Sequence, residues 1–148
     1  MKMTEVDGRA LADLPKWGEP VSDWSQDRPN TLTNAFGVVN KFGQGIKGLQ
    51  VEFNIYSSSR LALPKYVFSL IRVEQGCHER AYQLELNCRT GLRPTDHAYS
   101  HEHYGDKRIN ADSSWGNSSF DDAVKLFCSK CNLILTDQLP DYNDFKLK

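Results

Sequence analysis

Three successive runs in the middle of the chain carry the pattern of β-strands, and they restrict the fold more than any other feature. In "GLQVEFNIY", Leu49, Val51, Phe53 and Ile55 fall on one face, and Gln50, Glu52 and Asn54 on the other. A period of two is that of an extended strand with one wet side; a helix would repeat every 3.6 residues. "KYVFSLIRV" is apolar on both faces, Tyr66, Phe68 and Leu70 against Val67 and Ile71, and reads as a central, covered strand. "RAYQLELNC" alternates again, with Tyr82, Leu84, Leu86 and Cys88 inward. "QGCHE" between the last two is a hairpin turn, for which Gly76 supplies the permissive backbone.

The flanks have a different period. A short helix is expected over Glu5 to Leu14. "PKWGEPVSDWSQDRPN" is rich in Pro, Asp and Ser and reads as an irregular connection that Trp17 and Trp24 hold against the domain. "NTLTNAFGVVNKFG" is expected to be a helix from about Thr31, capped by Asn30 and stopped near Gly43. In "SSFDDAVKLFCSKCN", Ser118 or Ser119 can cap a helix whose first turn holds Asp121 and Asp122. Phe120, Ala123, Val124, Phe127, Cys128 and Cys131 recur on one stripe of it. "LILT" adds a short edge strand. The expected fold is α+β: an antiparallel sheet of about four to five strands with helices packed on one face. Residues 1–30 form an irregular N-terminal segment folded onto the domain, and residues 31–148 a single domain.

With 148 residues, 39% of them hydrophobic in type, the chain can build one compact core. Eighteen Lys and Arg against nineteen Asp and Glu leave a net charge of -1, so any nucleic-acid contact must come from a local patch. The start "MKMTEVDGRALADLP" has no long apolar run, and no later run is long enough to span a membrane, which makes the cytoplasm the expected compartment. There the cysteines are reduced. "CSKC" has C-x-x-C spacing, but Cys128 and Cys131 sit on the phenylalanine stripe, and no second C-x-x-C or H-x-x-x-H accompanies them. Buried small hydrophobes are the expectation, with no metal and no cofactor.

The chemistry concentrates in "HAYSHEHYGDKR", residues 97–108, which holds His97, His101 and His103. As a strand it would place His97, Tyr99, His101 and His103 on one face and Ala98, Ser100, Glu102 and Tyr104 on the other. Gly105 and Asp106 would turn the chain, and Lys107 and Arg108 would begin the next segment. Three readings are open. The stretch can be a polar strand face whose histidines hydrogen-bond across the sheet. It can be an acid–base site, with His101 and His103 as catalytic proton carriers and Lys107 or Arg108 steadying a phosphate oxyanion. It can be a metal site, in which His101 and His103 need a third ligand from His97, Glu102 or Asp106.

The same stretch carries a resemblance. "VFSLIR" at 67–72, "AYQLEL" at 81–86 and "HAYSHEHYGDKRI" at 97–109 resemble the strand, strand and P-H-x-H-x-Y-x-E-x-Y-G-D-K-W motif of a small family carried by phages and plasmids. The Y-G-D-K core, Tyr104 to Lys107, matches best. The histidine-rich stretch is also similar to that of the TumE-like toxins of toxin–antitoxin pairs. The chain departs from the pattern where "TDHAYSHEH" replaces the proline–histidine opening and Arg108 replaces the tryptophan. The resemblance implies a mobile-element protein and gives no established reaction; the acid–base reading makes His101, His103 and Lys107 the catalytic candidates and Tyr104, Arg108 and His97 the binding ones. Two functions follow as expectations: a toxin-like effector acting on RNA or nucleotides, paired with an antitoxin, or a non-enzymatic anti-defence inhibitor. The inhibitor would block a host nuclease complex through protein contacts, using Trp17, Trp24, Trp115 and the acidic stretch "DQLPDYNDF".

Overall fold

A computed structural model of the chain describes residues 2–57, 63–115 and 118–144. In chain order its elements are α1 (Glu5–Asp13), β1 (Lys16–Gly18), β2 (Ser25–Arg28), β3 (Thr31–Val39), β4 (Gly45–Tyr56), β5 (Lys65–Glu74), β6 (Cys77–Asn87), β7 (His101–Tyr104), β8 (Lys107–Asn110), α2 (Phe120–Lys130) and β9 (Leu133–Leu135). The strands join one sheet in the order β8-β7-β6-β5-β4-β3-β1-β9, with β2 paired to β3. All neighbours run antiparallel except β1 and β9, which are parallel, with Lys16, Trp17 and Gly18 opposite Leu133, Ile134 and Leu135. None of the described helices is long and apolar enough to cross a membrane.

This corrects the expectation of an antiparallel sheet of four to five strands with helices packed on one face. The sheet has nine strands, is mixed, and dominates the described chain over two α-helices. The largest error lies at residues 31–43, expected to be helical and observed as β3 and a turn. Leu32, Asn34, Phe36 and Val38 do alternate, but a polar residue at the second of these positions hides the period. Asn34 is fully buried and mimics a strand partner: its Nδ2 donates to the Val21 carbonyl at 2.9 Å, and its Oδ1 accepts from the Val21 N–H at 3.1 Å. The connection expected at residues 15–30 likewise contributes β1 and β2.

Both helices are capped by the residue types their ends require. Thr4 accepts from the Asp7 N–H, and Ser119 from the Asp122 N–H, with acidic side chains in each first turn. α2 drives Phe127 against Phe53, Phe68 and Tyr82, with ring centroids 5.4 to 6.0 Å apart. Phe120 meets Trp24, Tyr66 and Phe68 on the same side. Trp24 is buried and donates from Nε1 to the Pro140 carbonyl at 2.7 Å. A buried lysine closes the junction of the two helices. Lys16 is 1% exposed, and its Nζ donates to the carbonyls of Ala12, Leu14 and Cys131 at 2.5 to 2.9 Å. Burial pushes its pKa down to about 8, so the ammonium keeps its donors at neutral pH.

One irregularity shapes the far half of the sheet. Leu70 pairs with Tyr82, but Ile71 pairs with Arg80, so Ala81 is an extra residue in β6. The freed Ala81 carbonyl accepts from the Gly105 N–H at 2.8 Å. α1 docks on this point through Gly8, where a Cβ would come within 2.5 Å of the Ala81 oxygen and 2.6 Å of the Gly105 nitrogen. Gly105, at φ +55, has the Thr4 carbonyl pressed against the position a side chain would need.

Candidate functional site

The bulge at Ala81 decides which side chains meet on the face of the sheet opposite Phe127. Strand alternation puts Gln83 and Glu85 of β6 on that face, and the pairing sets His103 beside Gln83 and His101 beside Glu85. On the next strand Arg108 faces His103, and Asn110 faces His101. Without the bulge Arg80 would lie with Tyr82 on the core side. With it, Arg80 joins the polar face, and its Nη1 donates to Gln83 Oε1 at 3.2 Å. Gln83 Nε2 in turn donates to Ser69 Oγ at 2.9 Å.

The two imidazoles stand edge to face with centroids 4.8 Å apart. His101 is 4% exposed. Its Nδ1 lies 2.6 Å from the Tyr99 carbonyl, which makes Nδ1 the donor and leaves Nε2 as an acceptor. The Glu85 carboxylate lies 3.6 Å from the same nitrogen. Burial depresses the His101 pKa, against the opposing pull of the Tyr99 bond and Glu85. His103 is lowered to about 4, first by burial and then by the charge of Arg80, with His101, Arg108 and His97 adding to it. It is therefore neutral at pH 7. Among the described residues neither its buried Nδ1 nor the buried Arg80 Nε has a hydrogen-bond partner.

The depressed pKa has a consequence for stability. The unfolded imidazole, with an ordinary value of 6.5, takes its proton before the folded one does at about 4. The unfolded state thus binds more protons in that interval, and stability falls as the pH drops from 6.5 toward 4. Urea unfolding of His103→Gln at intervals between pH 7 and pH 4 is expected to show a shallower decline than the wild type. An unchanged slope would mean that His103 titrates normally in the folded protein.

The residues singled out in the sequence divide between the two faces. His101, His103 and Arg108 come together. His97 lies in the loop before β7 rather than on a strand, and it reaches the same group: Arg108 Nη2 donates to its carbonyl at 3.1 Å, and Arg108 Nη1 lies 3.5 Å from its Nδ1. Tyr104 sits on the core side, 8% exposed, with the Tyr82 ring 4.8 Å away and the Arg9 guanidinium 3.9 Å over its own ring. Lys107 pairs with Tyr104, so alternation points it away from the histidines, and it is exposed. Glu102 is also on the core side, where it accepts from the Tyr82 hydroxyl at 2.8 Å and lies 3.5 Å from Lys130 Nζ. The Y-G-D-K core is thus built into packing and a turn at Tyr104, Gly105 and Asp106. The residue missed in the sequence is Arg80, because a strict period of two assigns it to the wrong face.

Of the third-ligand candidates for a metal, His97 reaches the same group, with its Nδ1 3.5 Å from Arg108 Nη1, and the other two do not. Glu102 is on the opposite face, and Asp106 is exposed in the turn. Among the described residues no group of three or more His, Cys, Asp or Glu side chains is placed to hold an ion. Cys131 is buried, Cys128 is half-buried, and both thiols are free. Burial raises both pKa values, that of Cys128 to about 11, so neither is a thiolate at neutral pH.

Comparison with protein families, curated proteins and solved structures finds no match to this chain. The resemblance to the TumE-like toxins therefore stands on the motif residues alone.

Proposed function

We propose that the polar face of β6, β7 and β8 binds a phosphate-bearing ligand, RNA or a nucleotide, and that His103 accepts a proton there. On this reading the chain is a toxin-like effector of phage or plasmid origin, held in check by a protein partner such as an antitoxin. The observation that carries it is the pair of guanidiniums, Arg80 and Arg108, that act on one neutral imidazole whose buried Nδ1 has no partner among the described residues. A bound phosphate would pair with the guanidiniums and remove the part of the His103 depression that their charge adds to that of burial. Its pKa would then rise toward neutrality, where a general base works best. Arg108 keeps the phosphate-binding role expected for it, and Arg80 takes the role expected of Lys107.

Titration with a short single-stranded RNA tests this. Arg80→Gln and Arg108→Gln are each expected to weaken binding about tenfold and to lower the salt dependence by about one ion each. His103→Ala is expected to keep binding and to lose on the order of a hundredfold in turnover of the bound RNA. RNA affinity that is absent, or equal in all three variants, would end the proposal.

A second reading has an observation of its own. Leu14, Pro15, Trp17, Phe42 and Ile46 line an apolar hollow of about 440 Å³ far from the histidines, and Phe42 is 74% exposed. Such a surface suits a non-enzymatic anti-defence inhibitor that docks on a host nuclease complex. Of the tryptophans considered for that role, Trp17 lies in the hollow and Trp24 is buried, while Trp115 lies under Lys130 Nζ at 5.3 Å. A biological effect lost in Phe42→Asp and kept in His103→Ala would favour this reading.

A further inference from the structure

A cleft of about 130 Å³ opens where β6 and β8 end, lined by Asn87, Arg89, Leu92, Tyr99, Ser100 and Asp112 among others. It continues the polar face, since Asn87 follows Gln83 and Glu85 on the same side of β6. Its outer wall is the loop of residues 91–100, and that wall is fastened. Ser100 Oγ accepts from the Asn87 N–H at 2.9 Å, Asp96 accepts from the Arg93 N–H at 2.7 Å, and Asn110 Nδ2 donates to the Pro94 carbonyl at 3.1 Å. Arg108, assigned above to phosphate, donates into the same loop at His97. The cleft and the phosphate groups thus share one wall.

We propose that this cleft is the base-recognition subsite of the phosphate site, and that it takes guanine. The inference rests on the phosphate reading above and names its ligand as a guanosine phosphate, free or within RNA. Tyr99 offers a half-buried ring for stacking. Asp112 offers the selective contact. Its Oδ1 accepts from the Ser114 N–H at 2.9 Å, a bond that fixes the carboxylate and holds its pKa below the ordinary value. An ionised carboxylate accepts only, and it has more lone pairs than that bond uses. Guanine alone presents two adjacent donors, N1–H and the 2-amino group, to such an acceptor. Adenine and cytosine set a ring acceptor beside their amino group, and uracil sets a carbonyl on each side of its N–H, so each brings a lone pair toward the carboxylate. The volume suits one flat heterocycle.

Calorimetric titration with GMP, AMP, CMP, UMP and ribose 5-phosphate tests the assignment. GMP is expected to bind at least about tenfold tighter than the other nucleotides, the scale of one bidentate contact to a base. Asp112→Asn keeps an oxygen for the Ser114 N–H, so the loop stays in place, and circular dichroism checks that it does. In that variant GMP should fall to the level of AMP, while ribose 5-phosphate is unchanged. Tyr99→Leu should weaken every nucleotide and leave ribose 5-phosphate alone. A guanine preference that survives Asp112→Asn overturns the subsite. So do nucleotides that all bind like ribose 5-phosphate, and in that case the phosphate site stands. Failure of every probe overturns both. A pentanucleotide with a single G that binds tighter than GMP identifies RNA as the source, and equal affinities identify the free nucleotide.

Discussion

Lys16→Met is expected to lower the stability of the fold by about 3–5 kcal/mol. The methionine fills nearly the same volume, so the loss isolates the ammonium. Three carbonyls, of Ala12, Leu14 and Cys131, lose a donor in a place that is 1% exposed. Two of them belong to the end of α1 and the turn after it, and the third caps α2, where the last carbonyls have no partner within the helix. One side chain thus ties both helices to the start of β1. The backbone repeats the tie, because the Lys16 N–H donates to the Asn132 carbonyl at 3.0 Å, and Asn132 Nδ2 donates to the Asp13 carbonyl at 2.9 Å. Urea unfolding monitored by tryptophan fluorescence reads the effect as a lower midpoint at unchanged slope. A loss under about 1 kcal/mol would show that water reaches the three carbonyls and that the clasp contributes little.

Phe127→Ala is the second large effect, again about 3–5 kcal/mol. The ring is fully buried and is the contact through which α2 meets the centre of the sheet, at Phe53, Phe68 and Tyr82. Truncation leaves a cavity between rigid aromatic rings that cannot collapse into it, which places the cost at the high end for a core deletion. The polar site lies on the other face of the same sheet. On the proposed phosphate reading, RNA affinity measured well below the melting temperature is therefore expected to stay within a few-fold of wild type. A large loss of affinity at a temperature where the variant is still folded would show that packing under α2 sets the positions of His103 and Arg80.

The elements legible in the sequence are those whose signal is local. β4, β5 and β6 follow from alternation at Leu49–Ile55, Tyr66–Ile71 and Tyr82–Leu86, and the β5–β6 turn follows from Gly76, which with Gln75 takes the positive φ of a tight hairpin. α2 follows from the Ser119 cap and its apolar stripe, and α1 from the spacing of Ala and Leu, while its Thr4 cap is seen only in the structure. Of the polar site, His101 and His103 were legible through their spacing of two, and Arg108 through its place across a short turn. Tyr104 and Lys107 belong to the same motif, yet alternation sends them to the other face. Their closeness in sequence suggested a shared role that the pleat of the strand does not allow.

Period and caps by themselves determined the antiparallel meander of β4, β5 and β6 and the helices α1 and α2, because each of those signals acts between residues a few positions apart, and the same signals assigned residues 31–43 wrongly to a helix. Tertiary structure decided the rest. β3 exists as a strand because Val21 is there to satisfy the buried amide of Asn34. β1 and β9 pair in parallel because α2 carries the chain back over the sheet and delivers Leu133 beside Lys16. Arg80 reaches the histidines because one extra residue at Ala81 reverses the alternation of β6, at a point where α1 and Gly105 close on the freed carbonyl. Each of these depends on a partner distant in sequence, and a bulge changes the face of a side chain without changing the type of any residue near it.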